Sequence, residues 1–434
     1  MEPHRRERLI RLCIYILPAV MDMVLALILF VCTVRGSKEL QLSATVVGGM
    51  LATWGGAYML SCPVVGHFMN RANCTRLLVA GSLCMLALCI FLIHASGVVG
   101  IYIGMVLMGV IAALFFVPFQ IFMSAVDEAG EKPPSYSTGL YTFAWSMGFA
   151  LGPFVAARFS ELGAYLSSAE SIGAESARLV GRLFCGSSGA AAWQFSLIFA
   201  VFALVLNACG ILLLAKYAHA HPSRETDPPV APVAAKAPLD YNRAPNMWRK
   251  ALTGALAGVV AIQVIRGVFP RYSHPGVLAL PETVQGNMFF LLSLTQALVG
   301  LALCRSRTWM YRVRPVLGFG LFGIAGLLLL GLGRTPSVFY AGGILFGVYS
   351  GSFFYYFVFH AIAHRDRASR QVGLNEAVVG IAGVAGASAG GMIADFSGIS
   401  APFSCAAALV LIALVFQWRV HRNVWPQAKA AFEQ

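Results

Sequence analysis

The chain has 434 residues, of which 58% are hydrophobic and only 11% are charged, and its mean hydropathy is +0.75. Soluble globular proteins carry about 25% charged residues, so this composition excludes a chain surrounded by water alone. The formal net charge of +13 would suit a partner such as nucleic acid or a membrane surface, and the placement of the positive residues decides between them.

Twelve apolar runs, each about 20 residues long, can cross a bilayer as helices. They cover residues 9–34, 43–66, 77–94, 98–123, 137–157, 193–216, 250–269, 283–304, 315–332, 338–362, 373–394 and 400–418. The first run follows the basic segment "MEPHRRER", but it is too long for a cleaved signal peptide and shows no small-residue cleavage site. The sequence therefore predicts an all-α membrane protein with twelve transmembrane helices.

Positive residues alternate between the two sides of this predicted topology. If the N-terminus is cytoplasmic, 23 of the 31 Lys and Arg residues fall in cytoplasmic segments. This bias follows the positive-inside rule and predicts a multi-pass protein of the cell membrane with both termini in the cytoplasm. Topology thus explains the net charge, and no nucleic-acid partner is expected.

A segment rich in Pro, Ala and charge, residues 219–246, interrupts the apolar runs and predicts a flexible linker. We therefore expect an N-terminal six-helix bundle over 1–216, a cytoplasmic linker over 217–248, and a C-terminal six-helix bundle with a short cytoplasmic tail over 249–434. A shift of 238 aligns the segment from Tyr102 with that from Tyr340, and "TVVGGM" from Thr45 with "TVQGNM" from Thr283. A shift of 234 aligns 139–152 with 373–386. These matches favour a parallel internal repeat with pseudo-symmetric halves.

With twelve spans, a parallel repeat and a long central loop, the whole chain resembles the major facilitator superfamily of secondary transporters. The loop after the second span, "GHFMNRANCTR", is similar to that family's pattern at Gly66, Arg71 and Arg76. It departs from the pattern at Asn70, where the family usually has Asp, and at Asn73, where the family usually has Gly. The resemblance therefore implies a gating loop here without the charge of that Asp.

The fifth span contains "GFALGP", which is similar to a motif of many exporters in the family. Gly148 and Gly152 are four residues apart and would flatten one helix face, so that a neighbouring helix can approach closely. Pro153 would loosen the helix backbone at this point. A conformational role and ordinary helix packing are both open.

Asp22 lies near the middle of the first span, where a charge costs about 2.5 to 3.5 kcal/mol. It is a candidate for taking up and releasing a proton, and a hydrogen bond between helices is the alternative. On the seventh span, Gln263 and Arg266 share a face, and the guanidinium could hold a carboxylate or phosphate; snorkelling to the interface is the alternative. The repeat register sets Asp22 opposite Val260, about six residues short of Arg266, so no direct pair is assured.

The resemblance implies that the first, fourth, seventh and tenth helices line a central cavity. The polar and aromatic candidates on these helices are Asp22, Gln120, Gln263, Arg266 and Tyr355. Gln296 on the eighth span would either touch the solute or join helices. At the start of the eleventh span, Asn375 and Glu376 would form either an inner gate or a local salt bridge.

These patterns favour a monomeric secondary transporter that moves a small solute by alternating access, with proton antiport or symport as open modes. No nucleotide-binding motif is present, which argues against a primary pump, and no HExxH or GxSxG pattern suggests an enzyme. Ten cysteines include no CxxC motif, so neither a metal nor a cofactor is expected. The alternatives are a transport-inactive sensor or scaffold with this fold, or an intramembrane enzyme.

Overall fold

The computed structural model describes residues 3–69, 73–95, 97–127, 134–168, 175, 179, 192–220, 245–305, 309, 311–362, 368–422 and 424–433. At several helix ends, among them 3–12, 120–121 and 368–377, it describes the backbone alone. Linker residues 221–244 lie outside the described ranges, so the predicted domain limits stay a prediction.

The described chain consists of α-helices and one 3₁₀ turn, with no strand in these ranges. The helices are α1 (Pro3–Lys38), α2 (Ala44–Phe68), α3 (Cys74–His94), α4 (Val98–Asp127), α5 (Pro134–Ser168), α6 (Ala192–Ala220), α7 (Trp248–Val268), α8 (Glu282–Arg305), α9 (Val313–Leu332), α10 (Pro336–Ile362), α11 (Ala368–Ser397), α12 (Ala401–His421) and α13 (Val424–Glu433). A 3₁₀ turn, Phe269–Ser273, follows α7. Each predicted span falls on one of α1 to α12, and α5 shows the largest difference because it continues past 157 to Ser168.

Eleven helices in the described ranges are long and apolar enough to cross a membrane, and α2 is the predicted span outside that set. Its glycines, Trp54 and Tyr58 lower its mean hydropathy, although it is 25 residues long. Near its start it meets Tyr102 of α4, and further along Gly109 of α4 packs against Trp54 and Tyr58, so the two helices run parallel. Because α4 is among these eleven, the packing of α2 along it favours α2 as the twelfth crossing within the described residues.

Equivalent contacts in the two six-helix bundles reveal the internal repeat. An ideal Cβ on Gly109 of α4 would lie 2.6 Å from the Trp54 carbonyl oxygen of α2. On Gly347 of α10, it would lie even closer to the Leu292 carbonyl oxygen of α8. Both residue pairs are related by the shift of 238 positions (347 − 109 and 292 − 54). The pseudo-symmetric arrangement predicted from sequence is therefore present in the packing.

The register between α1 and α7 differs by one residue from the prediction. Gly152 of α5 packs on the carbonyl oxygen of Met23, and Gly386 of α11 packs on that of Val260. Met23 thus corresponds to Val260, a shift of 237, and the predicted pairing of Asp22 with Val260 is one position out. These glycine contacts set the register of α1 against α5 and of α7 against α11. The sequence alignment of α4 with α10 carries no information about that register.

The predicted cytoplasmic tail contains a short amphipathic helix, α13. Val424 and Ala428 are buried, and Trp425 lies under the Arg312 guanidinium, with Cζ 4.3 Å from the ring centroid. One face of α13 therefore covers the end of the C-terminal bundle that carries the chain terminus. Elsewhere, large apolar side chains on α6, α9 and α12 are exposed and suited to lipid, including Leu213, Leu321 and Ile412.

Candidate functional site

A small cavity, about 30 Å³ in volume, lies between the two bundles. Its walls come from α1, α2, α5, α7, α8 and the 3₁₀ turn. The lining residues are Ala26, Leu29, Phe30, Thr33, Leu51, Phe149, Pro153, Arg266, Pro270, Phe289 and Ser293. Most of this surface is apolar, and Arg266 contributes the charge.

Arg266 lies in the last turn of α7 and lines the cavity between the bundles. Its Cζ lies 4.2 Å from the centroid of the Phe149 ring on α5, a cation–π contact. In the part of the chain that the structure describes, its guanidinium makes no hydrogen bond and no ion pair. Its N–H donors are therefore available to a ligand, which favours the anion-binding interpretation over snorkelling.

Asp22 is 1% exposed on α1, one turn from Ala26 in the cavity wall. One of its carboxylate oxygens is buried without a hydrogen-bond partner. Gly148 of α5 lies against it, because an ideal Cβ there would sit 2.6 Å from the Asp22 Cβ. Arg266 and Asp22 act on one another electrostatically but form no ion pair among the described contacts. A buried carboxylate and a partly buried guanidinium thus occupy one region without neutralising each other by contact.

Gln296 of α8 uses both ends of its side-chain amide. Its Nε2 donates to Ser146 Oγ of α5 at 2.8 Å, and Ser350 Oγ of α10 donates to its Oε1 at 2.5 Å. All three side chains are buried. This arrangement favours the helix-joining role over contact with a solute, because the amide links α5, α8 and α10 through bonds at both of its ends.

Gln263 and Tyr355 are buried but do not border the cavity. Gln263 of α7 faces Gly383 and Gly386 of α11, and its Oε1 is buried without a hydrogen-bond partner. Tyr355 of α10 lies in an aromatic cluster inside the C-terminal bundle, with its ring centroid 5.6 Å from that of Trp309. Their assignment to a solute pathway stays a prediction.

The predicted motif of α5 forms the contact with α1. Ideal Cβ atoms on Gly148 and Gly152 would each lie 2.5 Å from a carbonyl oxygen of α1. Only glycine allows the two backbones to approach this closely. The next residue, Pro153, lines the cavity directly. The motif therefore brings α1, with Asp22, to the edge of the cavity.

Of the predicted gating residues outside α5, the structure describes the side-chain environment of two, Gly66 and Arg76. Gly66 and Arg76 are exposed, and no atom would lie within 4 Å of a Cβ on Gly66. Asn73, which departs from the family pattern, donates from Nδ2 to the Phe68 carbonyl oxygen at 2.9 Å and so holds the last turn of α2. Arg71 lies outside the described residues. The side chains of Gln120, Asn375 and Glu376 also lie outside them, on described backbone of α4 and α11.

The cavity wall contains residues that the sequence did not single out. Phe149 supports the guanidinium, and Phe289 and Ser293 of α8 face the same space. The chain contains 30 Phe residues, so no local pattern distinguishes these two from core phenylalanines. For Phe149, the available signal is the glycine and proline motif beside it, because that motif marks α5 as the helix that approaches α1.

Asp395 of α11 joins the bundles at the end where α1 stops and α2 starts, which we call the α1–α2 end. Its Oδ1 accepts from the Ala44 backbone N–H at 2.9 Å and its Oδ2 from the Thr45 N–H at 2.8 Å. Free N–H groups at a helix N-terminus favour a carboxylate. A residue of the C-terminal bundle therefore caps a helix of the N-terminal bundle.

Two further contacts cross between the bundles at the α1–α2 end. Lys38 Nζ lies 2.8 Å from Glu282 Oε1, and Arg271 Nη1 donates to the Leu42 carbonyl oxygen at 2.6 Å. The Lys38 side chain is half exposed, so solvent weakens that ion pair. Together with the Asp395 cap, these contacts hold the two bundles against one another at this end.

Replacing Asp395 by Asn is expected to loosen the α1–α2 end. One carboxylate oxygen becomes an NH₂ group that cannot accept from the Ala44 or Thr45 N–H, and charge-assisted hydrogen bonds contribute about 1.5 to 3 kcal/mol. Hydrogen exchange followed by mass spectrometry should show at least about tenfold faster exchange in a peptide covering Ala44 and Thr45. Lys38→Gln is the control because it removes only the exposed ion pair. Equal exchange in Asp395→Asn and wild type would contradict the prediction.

Two solved structures share this architecture. One is a bacterial homologue of the human lysosomal transporter Spinster in an inward-facing, unoccupied conformation, with 13% identity, 99% of both chains covered and a TM-score of 0.63. The other is the nucleoside transporter NupG, with 10% identity, 95% of this chain and 99% of that chain covered, and a TM-score of 0.64. No protein-family model and no curated protein sequence matches the chain. The helix order, the repeated contacts and this agreement over nearly the whole length show that the chain has the same fold as these two structures.

Proposed function

We propose that the protein is a secondary transporter that carries a small solute across the membrane by alternating access. The single observation that carries the proposal is the cavity between the bundles, with Arg266 in its wall and Asp22 buried one helical turn away. In this fold, two bundles rock around a central site, so a cavity at their interface can open to each side in turn. The Spinster homologue, a relative of a lysosomal transporter, and the nucleoside transporter NupG support this function by analogy of fold.

Proton coupling through Asp22 is the second part of the proposal. A carboxyl group in the middle of a membrane helix is costly to insert, so such a group is a candidate for a functional role. The unpartnered oxygen of Asp22 can take up a proton, and the positive charge of Arg266 interacts with the ionised carboxylate. We also propose that both termini lie in the cytoplasm, as the distribution of Lys and Arg predicts. The protein is proposed to act as a monomer.

The rival candidate is a scaffold or sensor that keeps the fold without moving a solute. A scaffold could bind a ligand in the cavity, but it would not release that ligand on the opposite side. Binding and movement therefore have to be measured separately, on the same purified protein.

The proposal is tested by thermal stabilisation followed by exchange in proteoliposomes. Uridine, glucose, naphthalene-2-sulfonate and tetraphenylphosphonium represent neutral, anionic and cationic solutes, and a ligand of the folded state raises the melting temperature. Proteoliposomes loaded with an unlabelled solute that stabilises the protein should accumulate the labelled form of that solute, while protein-free liposomes should not. A solute that stabilises the protein without any exchange would favour the scaffold.

A further inference from the structure

We propose that the solute is an amphipathic organic anion with a single negative charge, and that the cavity accepts it together with one proton. Arg266 holds the anionic group, the apolar walls hold the body, and Asp22 takes the proton. This inference rests on the proposed function and names the substrate class and the coupling of that same site.

The anionic group is recognised by donors that the protein leaves unused. Arg266 lies in the wall with its fork of N–H donors uncommitted in the described contacts, and it is held in place by Phe149 beneath it. Ser293 of α8 lines the same cavity, and its hydroxyl has no hydrogen-bond partner among the described residues. A guanidinium with a neighbouring hydroxyl matches a carboxylate, sulfonate or phosphate ester.

The rest of the cavity calls for an apolar body on that anion. Leu29 and Phe30 of α1, Leu51 of α2 and Phe289 of α8 cover most of the wall. Thr33 also lines the cavity, but its hydroxyl donates to carbonyl oxygens of its own helix, at 2.8 Å to Leu29 and 3.1 Å to Phe30. A highly hydroxylated solute such as a sugar would lose hydrogen bonds to water here without replacing them.

The charge balance of the site sets the number of protons. In the described part of the chain, Arg266 of α7 is the charged or titratable side chain that acts on Asp22, while α5 presents Gly148 to it. With both groups ionised, a bound monoanion would leave one unbalanced negative charge in a low-dielectric site. With Asp22 protonated, the same anion leaves the site neutral. One proton and one monoanion are therefore favoured together.

The two binding events are linked although the groups do not touch. The corrected register places Arg266 seven positions, or about 10 Å along the helix axis, beyond the residue that corresponds to Asp22, and the spacing between α1 and α7 adds to this separation. Two unit charges at least this far apart in a partly buried site change each other's equilibrium by up to about tenfold. By thermodynamic linkage, protonating Asp22 strengthens anion binding by that factor, and the anion strengthens proton binding equally.

The test uses naphthalene-2-sulfonate, whose charge does not change with pH, and its neutral analogue naphthalene-2-sulfonamide. Binding to the purified full-length protein is measured by calorimetric titration across the pH range in which the protein is folded. We expect the sulfonate to bind at least about tenfold more tightly than the sulfonamide, and its affinity to rise about tenfold as the pH falls. Asp22→Asn should bind the sulfonate with the low-pH affinity at every pH.

Arg266→Met should lose the preference for the sulfonate, whereas Arg419→Met, at an exposed arginine of α12, should keep it. If Arg266→Met fails to fold, wild type and Asp22→Asn with the two probes decide alone. Equal binding of both probes, no binding of the sulfonate, or the same pH dependence in Asp22→Asn would overturn the inference. Exchange of a neutral solute such as uridine in proteoliposomes would then leave the proposed function intact, while stabilisation without exchange would contradict that function.

Discussion

Asp22→Asn is expected to abolish proton-driven accumulation of the solute while leaving passive exchange in place. The amide has the shape of the carboxyl group but cannot release a proton, so the side chain at position 22 stays uncharged at every pH. In proteoliposomes with an imposed pH gradient, wild type should accumulate the exchanged solute and take up protons with it. The variant should equilibrate the solute without concentrating it, which a pH-sensitive dye and a labelled solute report together.

Asp395→Asn is the matched control for this experiment, because it makes the same chemical change at the α1–α2 end, away from the cavity. It should alter the rate of transport while the ratio of protons to solute is kept. Gradient-driven accumulation by Asp22→Asn at the wild-type level would show that another group carries the proton. The fold and the cavity would be unaffected by that result.

Gly152→Val is expected to be the most destabilising single substitution in the α1–α5 contact. A Cβ at this position would lie 2.5 Å from the Met23 carbonyl oxygen and 2.7 Å from both Ala26 Cβ and Leu27 N. Two of these atoms belong to the backbone and cannot rotate away, so α1 has to move. Overpacking of this kind costs about 1 to 3 kcal/mol, and the branched side chain adds to the Cβ clash. The melting temperature of the purified protein should fall by several degrees.

Gly66→Ala provides the control for the glycine prediction. No atom would lie within 4 Å of its Cβ, and the position is exposed near the end of α2. The change should stay within about 0.5 kcal/mol of wild type, as is usual for surface substitutions. Equal melting temperatures for Gly152→Val and Gly66→Ala would mean that α1 and α5 do not pack as closely as the structure has them.

Most of the fold could be predicted from sequence because lipid imposes length and apolarity on every spanning helix. Even α2, the least apolar of the twelve, was predicted, since its polar residues are single and its glycines are tolerated in packed membrane helices. The predicted register between α1 and α7 is wrong by one residue because it assumes the shift that relates α2 to α8 and α4 to α10. The loops between these helices differ in length between the two halves, so one shift does not hold for every helix pair. The α13 helix is too short to produce a spanning pattern, and its burial depends on Arg312 and the bundle end.

The candidate site could be predicted only where burial is costly. Asp22 and Arg266 stand out in any membrane sequence, and the structure brings them into one region. Gln296 was also conspicuous, but its partners Ser146 and Ser350 come from helices far along the chain, so its joining role could not be read from spacing. Phe149 and Ser293 are ordinary residues in an apolar helix. Asp395 looks like a solvated residue at a helix end, and only the other bundle gives it a function.

Because Asp395 caps α2 from the other bundle, the number of helical residues in α2 depends on whether the two bundles are in contact at the α1–α2 end. Ser43 accepts from the Val46 N–H at 3.4 Å, a long bond, so the first turn of α2 relies on a side chain from another part of the chain. When the bundles separate at this end, the Ala44 and Thr45 N–H groups have to turn to water, and the first turn of α2 is expected to fray. Rocking would then be accompanied by the melting and refolding of a helical turn.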